Sequence, residues 1–287
     1  MFEPIKISVK IVGGPALREA CGVVALLTDF GSVDPYVAAM KGVILSTCPR
    51  VTVVDITHEV PSFDVEYGAL TLLLAYRYFP PGTVFIGVVD PGVGSSRRPI
   101  AVVSRNYYFV GPDNGLLVPA AIDDGVEYAV VLDREEFYRK PTSASFHGRD
   151  IFAPIAARIA CGELVESLGS RVDPSTLVAP GISFGHRMVG GCVELTVVHV
   201  DRFGNVILSD RFENVRRLLN LSLRGRVEVR TKGRSATAAV EKVFSLTPPG
   251  ALVLYENSFG YAELAVNRGS AGGFLQVSRG DKVLLCT

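Results

Sequence analysis

Three side chains on two loops have the types needed to hold and polarise a water molecule. Asp90 and Arg97 bracket the glycine-rich turn begun by Asp90-Pro91-Gly92-Val93-Gly94, and His147 lies in Ser145-Phe146-His147-Gly148-Arg149-Asp150. A carboxylate accepts from water, a guanidinium fixes an oxygen, and an imidazole titrating near neutrality receives or relays a proton. Singly, each has a duller reading: an Asp90–Arg97 ion pair pinning a loop, and a satisfied buried imidazole at His147. Two further groups have the chemistry of a nucleoside site. Asp29 and Asp34 flank one loop. One carboxylate there can accept both hydroxyls of a ribose and the other can pair with an ammonium, although acids in loops are more often turn formers or helix caps. Asp201-Arg202-Phe203-Gly204-Asn205 reads either as a hairpin turn or as a nucleobase site, with Phe203 stacking and Asn205 offering a donor and an acceptor. Asn257-Ser258-Phe259 offers another aromatic ring and a hydroxyl.

The elements that must position these residues follow from the apolar pattern. From residue 22 to about 160, short apolar runs alternate with amphipathic stretches, which predicts strands and helices around a largely parallel sheet, an α/β architecture. Val23–Leu27 reads as a strand ending in Thr28-Asp29-Phe30-Gly31, and Asp34-Pro35 as the N-cap and first residue of a helix. Val51–Ile56 is a second strand, Asp64 opens a second helix, and Thr83–Val89 is a third strand running into Asp90. Asp29, Asp55 and Asp90 then all fall at strand carboxyl ends, the rim where open α/β sheets bind ligands. A further helix over about 149–160 is entered through the His147 loop, with Pro154 near its first turn. After Pro180-Gly181 the pattern becomes short strands between turns. We therefore expect an N-terminal α/β domain over 1–185, with residues 1–22 as an extension, and a smaller all-β barrel domain over 190–287.

Composition narrows the function. Lys plus Arg equals Asp plus Glu at 29 each, with no basic run, so nothing attracts nucleic acid and a small-molecule partner is expected. The first 22 residues fit neither a spanning helix nor a clean signal peptide, so no membrane partner and a cytoplasmic location are expected. The five cysteines show no paired or metal-type spacing and read as small buried hydrophobes. Phosphate-loop, zinc-protease and α/β-hydrolase signatures are missing, and Gly92-Val93-Gly94 is no dinucleotide loop because Arg97 stands where its third glycine would be.

The segments TDFGSVDPYVAAMKG, VDITHEV, FPPGTVFIGVVDPGVGSSRR, VGPDNGLL, SFHGRDIF, DRFGNVIL and NSFGYAELAVNRGSA, in this order, resemble the S-adenosylmethionine hydroxide adenosyltransferase family, relatives of the fluorinase and chlorinase enzymes. The resemblance covers about residues 23–287. It implies an α/β domain followed by a β-barrel, and a homotrimer whose active sites form between one subunit's first domain and a neighbour's second. It implies that Asp90, Arg97 and His147 position the water. On the same ground Asp29 takes the ribose diol, Asp34 and Asp201 the methionine amino group, Ser258 its carboxylate, and Phe203 and Asn205 the adenine, with Phe63 lining the ribose pocket. Phe259 departs from the pattern, since the fluorinase has an arginine there.

The reaction the resemblance implies is hydrolysis of S-adenosylmethionine to adenosine and methionine, by in-line attack of water at ribose C5′. No metal or cofactor is expected, since the sulfonium leaving group is already cationic, and holding the water in near-attack geometry lowers the barrier that remains. Halide-dependent 5′-halogenation is the nearest rival. Asp90 opposes it, because a carboxylate repels halide, and the chain lacks the long insertion that the fluorinase carries after the strand beginning near Ile100. A non-catalytic S-adenosylmethionine or adenosine sensor would need no water-handling trio. A methyltransferase would need an acceptor site.

Overall fold

Val23–Thr28 (β1) is fully buried from Val24 onward, and Val84–Val88 (β3) is buried throughout, as expected of strands covered on both faces. They pair in parallel in the middle of a seven-stranded sheet. Between them in sequence come helix Tyr36–Thr47 (α1), strand Thr52–Thr57 (β2) and helix Val65–Ala75 (α2). After β3 the chain forms strands Pro99–Ser104 (β4) and Tyr108–Pro112 (β5), helix Val118–Asp124 (α3), strand Val126–Val131 (β6), helix Ala153–Ala160 (α4) and strand Ser170–Val172 (β7). The strand order is β2-β1-β3-β5-β4-β6-β7. Among the described residues only β4 and β7 run against the other strands of this sheet.

This order has a functional consequence. The chain leaves β1 towards β2 on one side and returns to β3 on the other, so β1 and β3 flank a topological switch point, where a crevice opens beyond the strand carboxyl ends. α1 packs with α4, and α2 with α3. The α4 side carries the core of Met40, Ile44, Phe152, Ile155 and their neighbours.

The computed structural model describes residues 19–181 and 184–287. They divide into two units, the first ending at Gly181 and the second running to Thr287. Residues 1–18 of the expected N-terminal extension lie outside the described residues.

The second unit comprises strands Arg187–Val189 (β8), Cys192–Val200 (β9) and Val206–Arg211 (β10), helix Phe212–Leu218 (α5), strands Arg226–Arg230 (β11), Ser235–Val240 (β12), Leu252–Glu256 (β13) and Tyr261–Val266 (β14), helix Ala271–Leu275 (α6) and strand Lys282–Cys286 (β15). The order β10-β14-β13-β12-β11-β15-β9 closes through a β9–β10 pairing into a seven-stranded barrel, with β8 added outside on β9. Its interior is filled by Val193, Leu195, Val197, Leu208, Leu254, Leu264 and Val283, among others.

Three expectations need correction. Asp34 does not cap α1: the helix begins at Tyr36 behind Pro35, with no side-chain cap bond. The helix expected over 149–160 is split, with one π-helical turn over Gly148–Phe152 leading into α4. Four cysteines are not free hydrophobes. Cys48 and Cys161, the C-caps of α1 and α4, form one disulfide with Cα atoms 6.2 Å apart. Cys192 and Cys286 form another between the paired strands β9 and β15, at 4.5 Å. Cys21 is exposed and free. The partners are 113 and 94 residues apart in sequence, so spacing alone could not reveal them.

Candidate functional site

Arg97 joins the three residues of the water-handling set. Its Nε donates to Asp90 Oδ1 at 3.0 Å and its Nη2 to Asp90 Oδ2. Nη2 also lies 2.8 Å from His147 Nδ1. The pair is largely withdrawn from solvent, with side chains 9% and 5% exposed, and the guanidinium sits over the Phe152 ring at 5.3 Å. A guanidinium only donates, so His147 Nδ1 is the acceptor and its ring proton sits on Nε2. Burial, then the neighbouring Arg97 charge, lowers the His147 pKa below its ordinary value, against the opposing pull of Asp90 and Asp150. The imidazole is therefore neutral at physiological pH. Arg97 Nη1 is buried and has no hydrogen-bond partner among the described residues.

Asp90 and His147 open onto a cleft of about 400 Å³ at the switch point. Asp29 and Phe63 line it too, as do the rings of Phe30, Tyr36 and Phe146. The last three pack edge-on or tilted, with centroids 5.4–5.9 Å apart. Asp29 sits just beyond β1, where its Oδ2 accepts the Phe63 backbone N–H at 2.9 Å. Phe63 is 70% exposed and holds φ 67°, a conformation that costs a non-glycine residue energy and is concentrated at functional sites. The loop bearing Asp90 needs Gly94, which has φ +76°; a Cβ there would stand 2.7 Å from the Ala144 carbonyl oxygen, beside the loop that carries His147.

The structure brings Asp90, His147, Asp29 and Phe63 to one cleft, with Arg97 behind it. Asp34 is exposed and outside the cleft lining. Asp55 does not share the rim as expected, because Lys41 pairs with it at 2.6 Å and His58 Nε2 stands 3.0 Å from its other oxygen. That ion pair extends inward: His58 Nδ1 lies 2.8 Å from the Thr28 hydroxyl, which accepts the Phe30 N–H at 3.3 Å. The His58 carbonyl accepts the Gly31 N–H at 2.8 Å. This network shapes the turn bearing Asp29, and residue types alone did not point to it. The aromatic wall of Phe30, Tyr36 and Phe146 was likewise missed; its signal was that all three flank the predicted site loops.

In the barrel, Asp201 organises its own turn. Oδ1 accepts the backbone N–H groups of Phe203 at 2.9 Å and Asn205 at 2.8 Å, and Oδ2 accepts the Asn205 amide at 3.1 Å. This leaves Phe203 71% exposed. Ser258 is exposed on the β13–β14 turn, whose Asn257 Oδ1 accepts the N–H groups of Phe259 and Tyr261. Val206 faces Leu264 and Arg211 faces Tyr261, so the two turns lie at opposite ends of the β10–β14 ladder.

A SAM hydroxide adenosyltransferase N-terminal domain model matches residues 24–169, and the corresponding C-terminal domain model matches residues 195–284. The chain is 39% identical over 264 residues to a protein of Salinispora arenicola named (R)-S-adenosyl-L-methionine hydrolase, covering 91% of this chain and 96% of that one. A fluorinase of Nocardia brasiliensis is more distant, at 28% over 284 residues, covering 86% and 91%. The crystal structure of an uncharacterized conserved protein from Thermotoga maritima superposes with a TM-score of 0.84 at 36% identity, covering 92% of this chain and all of that one. With both domain models matched in order and relatives aligned almost end to end, the chain belongs to the SAM hydroxide adenosyltransferase family.

Proposed function

We propose that this protein hydrolyses S-adenosylmethionine to adenosine and L-methionine, with water attacking ribose C5′ opposite the sulfonium. The observation that carries this reading is the Asp90–Arg97–His147 constellation at the wall of a cleft that also holds Asp29. Arg97 Nη1 offers N–H groups to the water oxygen. Asp90, whose oxygens keep lone pairs beyond those used by Arg97, draws on the water proton. The His147 lone pair on Nδ1 is occupied by Arg97, so its Nε2–H orients the nucleophile and the base role falls to Asp90. Neutral thioether departs from a cation, so the demand is mainly for orientation, and no step in the proposed sequence passes through a metal.

Asp29 accepts the ribose hydroxyls through the oxygen not used by Phe63, and Phe63 lines the ribose pocket. Asp34 and Asp201 take the amino group, Phe203 and Asn205 the adenine, and Ser258 the carboxylate, with Asp201, Phe203, Asn205 and Ser258 contributed by another copy in a homotrimer. The exposed Phe203 ring has a free face on which an adenine can stack. The relatives' name adds a choice of sulfur configuration. We keep the cytoplasm as the proposed compartment, although two disulfides are uncommon there outside hyperthermophiles. Among the described residues no helix is long and apolar enough to cross a membrane.

The test is incubation with each sulfonium epimer of S-adenosylmethionine, with and without chloride, followed by chromatography. Adenosine and methionine are expected in both salts, from one epimer preferentially. 5′-Chloroadenosine would establish halogenation, S-adenosylhomocysteine methyl transfer, and binding without turnover a sensor. Asp90→Ala should abolish adenosine release; hydrolysis at the wild-type rate would overturn the assignment of Asp90.

A further inference from the structure

His147 is carried by a loop whose two ends meet at one buried carboxylate. Asp150 is wholly buried, and its oxygens accept four hydrogen bonds. Oδ1 takes Arg149 Nε at 2.7 Å and Arg139 Nη1 at 3.3 Å, while Oδ2 takes Arg149 Nη2 at 2.7 Å and the Ser143 backbone N–H at 2.8 Å. The backbone joins the same knot, since Arg139 N–H donates to the Asp150 carbonyl at 2.8 Å and Asp150 N–H to the Phe146 carbonyl at 3.1 Å. Segment 139–143 is thereby tied to the turn that follows His147, and residues 144–147 form the tip of a cinched loop. Ser145, Phe146 and His147, all on that tip, line the cleft.

The knot requires unusual backbone. Gly148–Phe152 is one π-helical turn, closed by the Ala153 N–H on the Gly148 carbonyl. Such turns recur at functional sites because the extra residue redirects side chains. Here Asp150 is directed inward while His147 meets Arg97. A fully buried carboxylate is costly unless it is fully paired, and a clamp with no electrical role could be apolar at no loss.

We infer that Asp150 is a positioning residue for His147, fixing the loop that presents the imidazole to Arg97 and balancing the positive charge around it. The inference rests on the hydrolytic reading proposed above and deepens it. Asp90 and Arg97 after β3 and Asp150 on its own turn act on His147, Asp29 after β1 and Tyr36 at the start of α1 share its cleft, and Arg149 is paired with Asp150. Of these, Asp150 and Asp90 favour the imidazolium and Arg97 opposes it. Burial would raise the Asp150 carboxyl pKa, but Arg149, the Ser143 N–H and Arg139 outweigh it and keep the group ionised.

The experiment is NMR titration of the His147 ring in the full chain, one of only four histidines, in wild type, Asp150→Asn and Arg139→Ala. Asp150→Asn keeps the shape but loses the charge, so the His147 titration should move to lower pH. Arg139→Ala leaves Asp150 less neutralised, so the titration should move to higher pH. Opposite shifts are the signature of charge balance, and packing damage alone would not produce them. In parallel, kcat/KM for S-adenosylmethionine should fall by about tenfold or more in Asp150→Asn, because the amide nitrogen, though the same size, cannot accept the hydrogen bonds that hold the imidazole's loop. An unmoved titration in folded Asp150→Asn overturns the inference. If that variant does not fold, an unmoved Arg139→Ala titration does so. If the titrations shift as stated while wild type releases no adenosine, the hydrolytic reading fails and the placement of Asp150 stands.

Discussion

Arg97 is the residue on which the candidate site turns, because its planar fork joins Asp90 and His147 at once. Lysine carries the same charge but a single compact ammonium, so it cannot span Asp90 Oδ1, Asp90 Oδ2 and His147 Nδ1 together. Arg97→Lys should therefore lower kcat by about 10²-fold while KM changes little, since the water and not the substrate is misplaced. Steady-state kinetics on adenosine release checks this, and an equal rise in KM would place Arg97 in substrate binding instead. Residue types alone only suggested that Asp90, Arg97 and His147 belong together, since an ion pair and a buried imidazole explain them as well; the family resemblance joined them into one set, and the three side chains do meet. The roles of Asp55 and His58 were not legible in the sequence: whether an acid at a strand end faces a ligand or a lysine depends on where α1 lies across the sheet. Lys41, one turn into that helix, takes Asp55 out of the rim. Asp201 is an intermediate case, since its hairpin role is complete within five residues and any part in amine binding must use the lone pairs left over.

At the scale of elements, the alternation of apolar runs located β1, β2 and β3 to within a residue, because each is a short apolar run bounded by turn residues. It could not resolve the π turn at Gly148, which differs from α-helix by one hydrogen-bond step and has the same residue preferences. Nor could it show the helix-end disulfide, which needs α1 and α4 side by side. The Cys48–Cys161 bridge closes a loop of 113 residues, which chain entropy equates with about 4–5 kcal/mol of stability. Replacing both cysteines with serine should lower stability by about that amount, read as a lower guanidinium midpoint of the first unit with a steeper slope, because the denatured chain without the cross-link exposes more surface. A midpoint that stays in place would mean that the packed ends of α1 and α4 hold without the bridge.

For the whole molecule, the division of candidate residues between a sheet rim and a barrel turn makes a specific demand on assembly. Asp90→Ala removes the water site and Asp201→Ala the barrel site, and each variant alone should be inactive. If active sites are built from two copies, unfolding and refolding the two variants together should restore part of the wild-type activity, because some sites then receive both intact halves. No recovery would confine each site to one chain. The barrel also governs how the molecule breathes. Each of its seven strands has a neighbour on both sides, so no strand can peel away without breaking two ladders at once. Among the described residues the first unit's sheet instead ends in β2 and β7, each bonded along one side only. Amide deuterium uptake should accordingly be graded across that sheet, fastest at β2 and β7, while the barrel strands from β9 to β15 exchange nearly in step, and only when the ring as a whole comes apart.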